Sequence, residues 1–128
     1  MRTTRGPDGF TLIELLIVIV VIGLLATIAI PKFGFTKEKA YLAQMKTDLR
    51  NLATQQEAYL YDNSQYTTSF PATVFTVSSG VQGLAISLDG TGWQATVGHN
   101  YTTKTCAIFV NATPVAPAVD DGVAACTQ

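Results

Sequence analysis

"GFTLIELLIVIVVIGLLATIAIPKF", residues 9–33, decides the fold, because an apolar run of this length has few uses. From Phe10 to Ile30 it holds 21 residues, about 31 Å as a helix, which is enough to cross a bilayer. It is longer than the apolar core of an ordinary secretory signal, about 7–15 residues. No small-residue cleavage site with a polar flank follows it. One acid, Glu14, lies near its start. A carboxylate costs about 2.5–3.5 kcal/mol at the bilayer centre and less near the interface. Position therefore lowers the cost of Glu14 without explaining it. The side chain either reaches the headgroups, bonds within its own chain, or meets a partner on another copy.

Outward from this run, the first nine residues, "MRTTRGPDG", are polar, with Arg2 and Arg5. Those arginines favour a cytoplasmic N-terminus and an exported remainder, whereas Lys32, Lys37 and Lys39 pull the other way. Eight basic and nine acidic residues give a net charge of −1, which is no electrostatic footprint for nucleic acid. Whether DNA is bound is not readable from that balance. Cys106 and Cys126 are the only cysteines and His99 the only histidine, so no zinc set is present. In an exported domain the two cysteines would close a disulfide loop worth roughly 3 kcal/mol. In a cytosolic one they would be free thiols.

Past the apolar run, Leu42, Met45, Leu49, Leu52, Gln56 and Tyr59 recur at spacings of three and four, one face of a helix. Lys37, Lys39, Lys46, Asp48, Arg50 and Glu57 fall largely off that stripe. The helix should end near 61–64, where "DNSQ" is turn chemistry. Pro31 lacks the N–H that would reach Thr27, and Gly34 follows, so a kink or melted turn is expected near 27–34. Beyond residue 70, "TVFTV", "LAISLD", "WQATVGH" and "KTCAIFVN" read as short strands with turns between them. The chain is therefore expected to be α+β: one long N-terminal helix packed on a small antiparallel sheet of three or four strands. The tail, residues 112–128, shows no clear element.

The N-terminal stretch resembles the signature of type IV prepilins and type II secretion pseudopilins. The match is carried by a short polar leader ending in Gly9, then Phe10, Glu14 and the late Pro31. The resemblance implies cleavage between Gly9 and Phe10 by a prepilin peptidase, with N-methylation of Phe10. It also implies a pilin fold and a homopolymer assembled through the N-terminal helix, in which Glu14 neutralises a neighbour's terminal amine. The expected divisions are a leader over 1–9, a membrane and filament-core helix over 10–31, an amphipathic helix over 32–64, and a β domain over 65–128 with a C-terminal disulfide loop between Cys106 and Cys126. The expected partners are the peptidase and the inner-membrane machinery that assembles a pilus or secretion pseudopilus. The N-terminus would lie in the cytoplasm and the domain in the periplasm, then outside the cell once assembled. The leading expectation is a pilus subunit serving adhesion, motility or DNA uptake. The alternatives are a secretion pseudopilin and an anchored monomeric binding module.

Catalytic chemistry has no foothold. There is no GxSxG, Walker loop or HExxH, and His99 reads as a turn residue. Asp120 and Asp121 alone are too few oxygen ligands for calcium. The sequon form at Asn111 is followed by Pro114 and carries little weight. No enzyme activity, cofactor or metal is expected.

Overall fold

The computed structural model describes residues 9–128, and their side chains apart from residues 31 and 32. Helix α1 spans Leu12–Asn63, 52 residues. It is followed by β1 (Val81–Asp89), β2 (Gly92–His99), β3 (Thr102–Val110) and the two-residue β4 (Ala125–Cys126). The four strands form one antiparallel sheet in sequential order, so the fold is the expected α+β, with the sheet at its four-strand limit. The chain divides into two units between Thr36 and Lys37.

Within the second unit the helical stripe forms the core. Met45, Leu49, Leu52 and Gln56 are buried, and Leu42 packs partly buried beside them. They meet Trp93, Ala95 and Val97 from β2 and Cys106 and Ile108 from β3. Gln56 satisfies its buried amide on one residue: Thr67 N–H donates to Oε1 at 3.1 Å, and Nε2 donates to the Thr67 carbonyl at 2.6 Å. Opposite faces alternate along β3, so Ala107 and Phe109 point away from the helix and are covered by Ala118 and Val115 of the tail. β3 is thereby buried on both faces.

Turn chemistry closes the elements. Asp89 and Gly92 pair across the two-residue loop Gly90-Thr91, with positive φ at Gly90 alone, as in a type II′ hairpin. A Cβ on Gly92 would overlap the backbone of Val110 and Asn111, so only glycine fits that approach. At the end of α1, Ser64 takes φ 58 and its N–H donates to the Leu60 carbonyl at 2.7 Å, an αL cap.

Three expectations are corrected. "TVFTV" (73–77) is not a strand: Val74 and Phe75 N–H groups turn back onto the Pro71 carbonyl, leaving no ladder to join. Its Phe75 and Val77 instead pack against the core. Asp48, expected off the packed face, is buried, because a loop rather than solvent covers that side of the helix. His99, expected in a turn, closes β2 and is buried under Tyr41, ring centroids 4.3 Å apart. The tail also supplies an element, β4, that had not been expected.

Candidate functional site

Among the described residues, the apolar stretch of the first unit is helical and its side chains lie open. From Leu12 to Ile30 every side chain is exposed except the half-covered Ala26. Leu12 is 82% exposed and Ile22, mid-run, 59%. An apolar face of this size is stable only against lipid or other protein. By length and hydropathy α1 is apolar enough to cross a membrane. Thr27, the polar residue of its second half, folds its hydroxyl onto the Leu24 carbonyl at 2.7 Å, as a hydroxyl in an apolar setting must.

The start of this helix is built by Thr11 and Glu14. Thr11 N–H and its hydroxyl both donate to Glu14 Oε2, at 2.8 and 2.7 Å. Glu14 N–H returns to Thr11 Oγ1 at 3.3 Å. This reciprocal pair is a capping box, with Thr11 at the N-cap and Glu14 three residues on. It satisfies orphan N–H groups where the apolar helix begins. Among the described residues no donor meets Glu14 Oε1. The carboxylate is thus fixed by one oxygen and open at the other, and its negative charge sits at the positive end of a long helix dipole.

Phe10 is 87% exposed, and the Gly9–Phe10 peptide precedes the first helical residue, so this bond is irregular and open to solvent. A break there would leave Thr11, and with it the whole capping box, intact. The leader expected over 1–9 otherwise lies outside the described residues. α1 is assigned as helix through Pro31 and Gly34 without interruption, so no turn is melted there.

In the second unit Cys106 and Cys126 face each other directly in the β3–β4 pair and are joined by a disulfide. The flanking bond from Thr127 N–H to the Thr105 carbonyl, 2.9 Å, continues the ladder. Cys126 Sγ rests 3.8 Å from the Leu42 carbonyl, so the bridge also lies against the helix. Of the adjacent Asp120 and Asp121, Asp121 Oδ2 accepts from Asn111 N–H at 2.9 Å, and among the described residues no group of three or more His, Cys, Asp or Glu is gathered.

Thr11 is the residue that sequence reasoning passed over, although Thr-x-x-Glu before an apolar run is a readable capping signal. Asp48 carried no such signal, since its partner Ser78 is 30 positions away.

Comparison with known proteins places these features in context. Residues 5–30 match the prokaryotic N-terminal methylation motif. The chain is 41% identical over 65 residues to the type II secretion system core protein G of Dickeya chrysanthemi, covering 51% of this chain and 42% of that one. It is 42% identical over 69 residues to the type IV major pilin protein PilA of Myxococcus xanthus, covering 52% and 31%. It is 39% identical over 70 residues to the type IV wide pilus major component PilA4 of Thermus thermophilus, covering 55% and 53%. The matched stretches span about half or less of these relatives' lengths. The chain therefore carries the prokaryotic N-terminal methylation motif, and the proteins it is similar to include type IV pilins and core proteins of type II secretion systems.

Proposed function

We propose that this chain is a structural subunit of a type IV pilus, not an enzyme. In this reading a prepilin peptidase removes residues 1–9 by cutting after Gly9, and the new terminus at Phe10 is N-methylated. Residues 10–31 anchor the subunit in the inner membrane and later pack the filament core. The amphipathic helix over 32–64 carries the β domain, 65–128, in the periplasm and then outside the cell, with Cys106 and Cys126 closing its C-terminal loop. The observation that carries the reading is the exposed apolar helix with Glu14 fixed by one oxygen at its start. Cleavage creates an amine at Phe10 that is largely cationic at neutral pH. A neighbour's amine can take the open Oε1, and in a low-dielectric core the loss of either charge is expensive, so the pair favours one register of assembly. Pro31 and Gly34 would let the helix bend where it leaves the core.

A second reading has support in the type II secretion relatives: the same subunit in a short secretion pseudopilus confined to the envelope. Both readings require the pilus or secretion assembly machinery of the inner membrane as partner. The test is Glu14→Ala in the full chain. Processing after Gly9 should continue while sheared filament disappears. Normal filaments from this variant would remove Glu14 from assembly. Filament material found only after the envelope is opened would favour the pseudopilus.

A further inference from the structure

Charge in the second unit is segregated along its length. After Arg50 the chain carries five carboxylates and a single basic side chain, Lys104. Lys104 does not lie with those acids. It pairs with Glu38 at 3.5 Å, and Thr102 reaches the same carboxylate at 3.3 Å, which places the β2–β3 turn at the helix end that carries Lys37, Lys39 and Lys46. Tyr41 stacked on His99 confirms that position.

The opposite end gathers the acids. Tyr66 OH donates to Glu57 at 2.9 Å, and Asp62 is exposed in the last turn of α1. Asp89 holds Thr113 N–H at 2.8 Å, and Asp121 holds Asn111 N–H at 2.9 Å, both where β1 and β3 end. Asp120 is exposed beside them. Between Leu60, Ser64 and Tyr66 on one side and Leu88 and Gly90 on the other opens a groove of about 380 Å³. From the lysine-bearing end the ring of Tyr101 projects, 74% exposed.

Copies anchored in one membrane share one orientation. Set flush, they bring like charges side by side. Displaced along the helix axis, they bring the acidic end of one to the lysines of the next. Charges screened over about 8 Å at physiological salt act only in such close contact. We propose that the acidic end of one copy docks on the lysine end of a second copy, with Tyr101 of that copy seated at the groove, and that this contact sets the axial stagger of neighbours. The inference rests on the filament reading above and names which surfaces of the outer domain meet.

Zero-length carbodiimide cross-linking of sheared native filaments, read by mass spectrometry, tests it. Lys39 and Asp62 are 23 helical residues apart, about 35 Å, so a bond between them must join two chains. Links from Lys37, Lys39 or Lys46 to Asp62 or Asp120 are expected. Filaments that start at methylated Phe10 yet yield only the intrachain Glu38–Lys104 link would overturn the docking and leave the subunit reading standing. A chain never processed and never in a fibre would overturn both. Charge reversal gives a second readout. Asp62→Lys or Lys39→Glu alone should lower sheared filament on the order of tenfold with the processed pool unchanged, and the two together should restore it. Failure of the double variant to recover, with each single variant impaired, would also contradict the docking.

Discussion

Both carboxylate oxygens of the buried Asp48 are taken by Ser78: Oδ2 accepts from its N–H at 2.8 Å and Oδ1 from its hydroxyl at 2.7 Å. One helical side chain thereby fixes the loop that leads into β1. Hydrogen bonds to a buried charge contribute about 1.5–3 kcal/mol each, and their removal strands the remaining partner. Asp48→Ala should cost about 2–4 kcal/mol in thermal unfolding of the detergent-solubilised chain, followed through Trp93. Asp48→Asn, which keeps one acceptor, should cost less. Equal losses in the two variants would show that packing, not the paired bonds, sets the effect.

Ser64 holds a left-handed conformation that glycine adopts freely. Ser64→Gly should therefore raise stability by about 0.5–1 kcal/mol, the αL strain relieved less the entropy added to the unfolded chain. A melting temperature that falls would mean the serine side chain contributes more than its backbone costs.

The Cys106–Cys126 bridge spans 20 positions and is the covalent tie of the tail that covers Ala107 and Phe109, beside hydrogen bonds such as Gly122 N–H to the Phe109 carbonyl at 2.8 Å. Reduction, or Cys106→Ser with Cys126→Ser, should cost roughly 3 kcal/mol in the chain-entropy model. Hydrogen exchange should rise first at residues 115–126, while the Met45–Leu52 region of α1 stays protected. Uniform exchange across both regions would show the tail and the helix core to be one cooperative unit.

Hydrogen bonding by Thr113, from its side chain and its N–H, holds the Asp89 carboxyl below its ordinary value of 3.8. A carboxyl whose folded pKa is depressed stabilises the fold above the unfolded value and loses that contribution as pH falls through the folded one. The chain should therefore lose stability on acidification below about pH 3.8, and Asp89→Asn should flatten that part of the curve. An unchanged acid limb in the variant would assign the loss to other carboxylates.

How much of this could be read beforehand follows from range. The stripe Leu42, Met45, Leu49, Leu52, Gln56 was legible because helical periodicity is local, and the sheet because turns mark it. The strand expected at 73–77 failed because β-branched composition says nothing about whether a partner strand is at hand. β4 is too short for any pattern and is held beside β3 by Cys126. The burial of Asp48 and His99 depends on Ser78 and Tyr41, each distant in sequence, so nothing local announced it. At the start of the apolar helix the acid was legible as an anomaly in an apolar run, whereas its fixed geometry required Thr11 to be seen as a cap.

The measurement that bears most directly on the filament account is the N-terminus of the chain in fibres sheared from native cells, determined by mass spectrometry. An abundant peptide beginning at N-methylated Phe10 is the predicted result. It would establish cleavage after Gly9 with the apolar helix retained. A membrane-bound chain still beginning at Met1, with none in the sheared fraction, would contradict the account.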